Sequence, residues 1–182
     1  MACSSITLKG IGLGCKDNMG GIKEVYLVKD DEVTVTLDVE KAEVAEITLT
    51  ESATFKTYKF RKGTSSMTST MTTDEAAGTM SVQTDLALQF SKMETGKRLE
   101  IQAMCMDSLK GIVLDSNGRY WLLGYDFPIT ASAATANSGT AFGDFSGYNV
   151  TLTDNSKEFP YEIPASVIES IKDKITEAPA AV

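Results

Sequence analysis

The chain has 182 residues, of which 42 % are apolar and 23 % charged, which is ordinary globular composition with enough length for one domain and a sizeable core. Its net charge of −8 argues against a DNA-binding protein of the basic-patch kind, although not against one that DNA must pass without sticking. Histidine is absent, which removes Ser-His-Asp and Cys-His catalysis and most zinc sites.

The first residues, Met1 to Ser5, carry neither a basic n-region nor an apolar h-region, and no apolar run reaches bilayer length. Synthesis and assembly in the cytoplasm, with no membrane segment, is the expectation. Cys3, Cys15 and Cys105 have no CxxC spacing and read as isolated thiols rather than a disulfide framework or metal knuckle. Residues 1–21 form a glycine-rich arm ending in GIGLGCKDNMGG. Its glycines do not fit GxGxxG, and no GK[ST] follows, so it is read as an extended arm with a tight turn at Asn18 to Gly21 rather than a phosphate loop.

Strands follow within a β domain spanning residues 22–164. Ile22 to Lys29 is the first. Val33, Val35, Leu37 and Val39 then alternate with polar residues at period two, and Ile47 to Leu49 makes a third run. From Asp30 to Glu51 eight acids accompany one base, Lys41: a solvated face, or an electronegative surface beside something that passes.

A long two-faced hairpin is expected from about Thr54 to Phe90. Its ascending strand takes in Phe55 to Phe60 and Ser66 to Thr73. Met67, Met71, Met80, Val82, Leu86 and Leu88 share a packing face. Ser66, Thr68, Thr70, Thr72, Ser81, Gln83 and Asp85 share the opposite one. For the apolar sets to coincide, paired residue numbers must sum to an odd value, which demands an even-length connection such as Asp74 to Ala77 or Asp74 to Thr79, or a bulge near Gly78. So long a ribbon needs cover on one side and strand partners at its edges.

One packed α-helix comes next. Ser91 and Glu94 fit a capping box, and Lys97, Ile101, Met104, Cys105 and Ser108 form a narrow stripe. A second hairpin, Gly111 to Asp115 and Arg119 to Tyr125, turns at Asn117-Gly118 with Trp121 and Leu123 inward. Pro128 to Gly147 has no period and reads as a long loop. Tyr148 to Thr153 is a strand, Asp154 to Ser156 a turn and Lys157 to Ile163 extended. Residues 165–182 are a short helix and tail: Ser166 and Glu169 fit a second capping box, Ile168, Ile171 and Ile175 share a face, and the helix stops before Pro179.

No catalytic site, cofactor site or metal site is defined. The acids fall in turns and on alternating strand faces without a paired constellation. Phe127, Phe142, Phe145 and Tyr148 lack the neighbouring cations that base stacking uses.

The order of strands, long hairpin, helix, hairpin, loop and closing strand resembles the tail-tube family of tailed bacteriophages and the tubes of contractile injection machines. Several runs are similar to structural proteins of phages of Bacteroides-type gut bacteria: GCKDNMGGIKEVYL (Gly14 to Leu27), TFKTYKFRKGTSSMTST (Thr54 to Thr70), KMETGKRLEI (Lys92 to Ile101), GRYWLLG (Gly118 to Gly124) and GYNVTLTDNSKEFPYEI (Gly147 to Ile163). The resemblance implies a mainly β fold, a tail-tube-like β-sandwich or barrel. It also implies a non-enzymatic virion subunit whose copies form rings, hexameric in that family, that stack into a conduit. The polar hairpin face would line the channel and let DNA pass without specific binding, and other tail or head-tail proteins would be neighbours. The arm and the Pro128 to Gly147 loop would contact adjoining rings. A head-tail joining protein, a capsid-decorating protein docking by its C-terminal helix, and a soluble carbohydrate-binding β-domain are the alternatives.

Overall fold

The computed structural model describes residues 10–38 and 40–178; Cys3, Val39 and Pro179 lie outside the described residues. Among the described residues the fold is mainly β, with twelve strands in two sheets and two short α-helices. Strands β1 (Ile22–Lys29), β2 (Val33–Asp38) and β3 (Glu43–Leu49) form where strands are expected, with β1 buried continuously from Val25 to Val28. β4 (Phe55–Lys59) comes next, then β5 (Ser66–Asp74) and β6 (Thr79–Ser91). Helix α1 (Thr95–Met106) precedes β7 (Leu109–Asp115), β8 (Tyr120–Leu123), β9 (Thr130–Asn137) and β10 (Gly147–Ser156). β11 (Tyr161–Ile163), α2 (Ala165–Ser170) and β12 (Ile175–Thr176) close the described chain.

The larger sheet has the order β12-β4-β1-β7-β8-β11-β3-β2, the smaller β5-β6-β10-β9. Neither closes into a barrel within the chain. One core lies between them, where Val25, Leu27, Val113 and Leu123 meet Leu86, Leu88, Val150 and Leu152, with Ile101 and Met104 of α1. A second core sits on the other face of the large sheet. There Tyr26, Ile112 and Leu122 pack with Val44, Ile47 and Phe55 under Val167, Ile168 and Ile171. Strands from both ends of that sheet share this cluster, so the sheet must curl around it. The C-terminal helix is thus part of the core.

Several expectations are corrected. Phe55–Lys59 is not the lower half of the hairpin: it pairs with β1, and the chain changes sheets at the Arg61–Thr64 turn, where Gly63 has φ +74°. The hairpin proper is β5–β6. The stretch from Pro128 to Gly147 is not all loop, because β9 pairs with β10 along its whole length. Asp154 to Ser156 is not a turn but the end of β10, paired with Thr84 to Val82. Neither capping box forms. Ser91 is held in β6 opposite Gly147, Lys92 takes φ +70°, and α1 starts after Glu94 with no side-chain cap. α2 starts after Pro164, also without one. Cys105 is exposed, so the buried stripe of α1 reduces to Ile101 and Met104. No turn forms at Asn18 to Gly21. Instead Asn117 binds the arm: its Oδ1 accepts from the Met19 N–H at 2.7 Å, and its Nδ2 donates to Asn18 Oδ1 at 2.7 Å.

Gly147 shows how tightly the small sheet is joined. Its φ is +155°, and a Cβ there would overlap the Phe90 carbonyl oxygen on the neighbouring strand.

Candidate assembly surface

In β5–β6 every paired sum is odd, with Met67 opposite Leu86 and Met71 opposite Val82. The connection is Glu75 to Gly78, four residues long, as parity requires. Asp74 Oδ1 accepts the Ala76 and Ala77 N–H groups at 2.9 and 3.0 Å, and Gly78 supplies φ +63°.

The two faces separate as the alternation dictates. Val82 is buried, Leu86 and Leu88 are buried in the first core, and Met67 packs against that core half-buried. Met71 and Met80 do not: they are 39 % and 51 % exposed, Met71 on the edge strand in the last row that β10 reaches and Met80 on the ribbon beyond it. Thr84 shares the inner face without exposure, and its hydroxyl is 2.8 Å from that of Ser69 opposite, which satisfies both polar groups.

On the outer face Ser66, Thr68, Thr70, Thr72, Ser81 and Gln83 are exposed and Asp85 half-exposed. Asp85 accepts from Gln83 Nε2 at 3.1 Å and from Thr153 Oγ1 at 2.8 Å, so its carboxylate is fixed in the sheet. The register adds residues that the hairpin alone did not reveal. Asn149, Thr151 and Thr153 of β10 lie beside Gln89, Ala87 and Asp85, and Thr135 and Ala133 of β9 continue the rows. Gln89 Nε2 donates to Asn149 Oδ1 at 3.2 Å. The result is one continuous field of hydroxyls and amides across four strands.

None of these four strands contains Lys or Arg. An even spread of the chain's 17 cations over 182 residues would put about four there. The acidic run from Asp30 to Glu51 belongs to the larger sheet and its turns, away from this face.

Among the described residues both edges of the small sheet, β5 and β9, are unpaired along their outer sides. The edge strands carry mostly small or hydroxylic side chains, with Met67, Met71 and Asp74 on β5, and neither contains Pro or Lys, residues that blunt such edges. The β9–β10 loop is well built: the Thr140 and Ala141 N–H groups donate to Asp144 Oδ2 at 2.8 and 2.7 Å and hold its carboxyl below the usual range. At its tip Phe142 is fully exposed.

Among the described residues no group of three potential ligands gathers for a metal ion, and no described helix is long and apolar enough to cross a membrane. Trp121 packs against the first core and donates its indole N–H to Asp115 Oδ2 at 3.3 Å, so it is no sugar platform. The aromatics considered for base stacking do not form one surface: Tyr148 is buried and Phe127 and Phe142 are exposed. No protein-family model, curated protein or solved structure matches the chain.

Proposed function

We propose that the chain is a structural subunit of a hollow, ring-stacked tube that conducts DNA, the tail tube of a bacteriophage virion assembled in its bacterial host. The observation that carries this reading is the small sheet, with one face buried, the other polar and free of cations, and both edges open.

Strand direction supports closure. β5, β6, β10 and β9 alternate, so β9 of a second copy laid beside β5 runs antiparallel to it. Four strands is an even number, and the alternation therefore survives round a ring of any size. Closure pairs the backbone groups left open on both edges. In a ring of six, about 24 strands spaced ~4.8 Å apart and tilted by ~40° give a backbone diameter of about 45–50 Å. That leaves a channel passable by duplex DNA once side chains are in place.

The lining would be Ser66, Thr68, Thr70, Thr72, Ser81, Gln83 and Asp85, with Asn149 and Thr151. A wall without cations releases no counterions from DNA, so it gives the duplex no electrostatic hold. The capsid-decorating alternative calls for a free C-terminal docking helix, and Val167, Ile168 and Ile171 are instead buried in the chain's own core.

Electron microscopy and sedimentation of the purified chain test the proposal. Rings with a central channel, singly or stacked, are the expected result. A persistent monomer at high concentration, with no rings on seeding, would sink it.

A further inference from the structure

The two ends of the small sheet are chemically different. At one end the hairpin runs on alone. The last residue of β10, Ser156, pairs with Val82. Beyond that point Thr72, Thr73 and Asp74 pair with Ser81, Met80 and Thr79, and β10 reaches none of them. Three residue pairs at ~3.4 Å each carry the ribbon about 10 Å past its neighbour. A two-stranded ribbon is marginal alone in water, and this one exposes Met80, with Met71 exposed at its root. Its turn adds Glu75 beside Asp74, and neither has an ion-pair partner among the described residues.

The other end is cationic. The β4–β5 connection turns at Arg61, whose carbonyl accepts from Thr64 N–H at 3.2 Å and Thr64 Oγ1 at 2.8 Å. Ser65 Oγ accepts the Gln89 N–H at 3.3 Å, which fixes this turn beside the end of β6. Arg61 and Lys62 are exposed and, among the described residues, have no ion-pair partner. Exposed apolar side chains lie at the same end of the sheet: Met93, just past β6, is 46 % exposed, and Phe142 is exposed on the β9–β10 loop, whose Ser146 carbonyl accepts the Lys92 N–H at 2.8 Å. One end is therefore acidic and apolar, the opposite end basic and apolar, on a chain whose net charge is −8.

We propose that the β5–β6 tip of one copy docks end to end on the Arg61–Lys62 turn of a second copy. Glu75 meets Arg61 and Lys62, while Met71 and Met80 cover Met93 and Phe142. The inference rests on the tube reading for what is being stacked, but it uses the ends of the sheet and not its edges. A contact between unlike ends does not close on itself, so it repeats as an open stack with a fixed polarity. Methionine suits such a seam because its unbranched side chain adapts to an imperfect fit.

Charge reversal in the full chain tests the contact, with Glu75→Lys in one variant, Arg61→Glu with Lys62→Glu in another, and all three combined. Every altered side chain is exposed, and circular dichroism melts matching the wild type verify folding. By electron microscopy each single reversal should shorten stacks by roughly tenfold at low salt while rings persist, and the combination should restore them. Unchanged stack length in the reversals, or no restoration in the combination, overturns the contact. Absence of rings in the wild type defeats the tube reading separately. In that event sedimentation equilibrium decides: end-to-end association weakened by each reversal and restored by the combination supports the contact, and any other result overturns it.

Discussion

Asp154 offers the sharpest test of the packing. It lies on the inward face of β10 opposite Thr84, only 3 % exposed, and its Oδ1 has no hydrogen-bond partner among the described residues. Burial pushes its carboxyl up from the usual 3.8 to about 6, the Gly124 N–H pulls it partway back, and the Asp126 carboxylate nearby pushes it further up. The folded protein therefore holds a proton that the unfolded chain gives up between these values. Well below 3.8 the group is neutral in both states and costs nothing. As pH rises through 6 the folded state must carry a buried charge, and stability falls to a lower plateau. The rise from 3.8 to about 6 corresponds to at most about 3 kcal/mol, and local relaxation brings the expected cost to about 1–3 kcal/mol. Asp154→Asn keeps the shape and a carbonyl acceptor while removing the charge. In urea titrations at concentrations that keep the chain monomeric, the variant should gain least on the wild type near about pH 3, and should have gained that margin by about pH 7.5. Subtracting the two curves cancels the other carboxylates. A flat difference, or one that moves against the variant as pH rises, refutes the reasoning.

Three further outcomes follow from the small sheet. Leu86→Ala should destabilise the monomer by about 2–5 kcal/mol in denaturant titrations, whereas Met71→Ala, near the projecting tip, should cost under about 1 kcal/mol. Gly147→Ala places a Cβ against the Phe90 carbonyl, part of a paired strand that cannot retreat, so about 3 kcal/mol or more should be lost and soluble yield should drop. Lysine at Ser66, Thr68 and Thr70 together should leave the melting temperature unchanged but make assembled rings retain duplex DNA. Retention should fall as salt rises, with a slope approaching ~0.9 per phosphate contact. Equal retention by variant and wild-type rings would count against that face lining the channel.

The hairpin is legible in the sequence because period two is written in both of its strands, and parity then sets the register that the structure contains. Its lower boundary is not. Phe55 and Thr57 point inward with the same alternation a hairpin strand would have, and only the turn at Arg61 sends them to the other sheet. β9 is invisible for a different reason. Ala, Ser and Thr leave no contrast between its faces, and its strand geometry comes from hydrogen bonding to β10. Asp154 to Ser156 has turn chemistry, yet pairing with β6 overrides local preference. Ser91 has the residue type of a helix cap, but its backbone is already committed opposite Gly147. The polar face is therefore readable from two strands and completed by two more, since Asn149, Thr151 and Thr135 join it only through cross-strand register.

The contrast between the sheets explains why assembly is assigned to the smaller one. Val25 to Val28 are buried in succession, because β1 has a core on each face, and the large sheet has no broad face left to offer. It carries Lys23, Lys29, Lys56, Lys59 and Lys110, as a sheet solvated at its margins can. The small sheet buries one face only and leaves two long edges open. Had solvent been its intended surroundings, lysine on the edges would have guarded against strand addition and would have been tolerated on the outer face. Its absence from all four strands leaves those edges receptive to another copy. The same absence keeps the exposed face from gripping a polyanion. In the proposed tube, that one compositional feature meets both demands of a conduit.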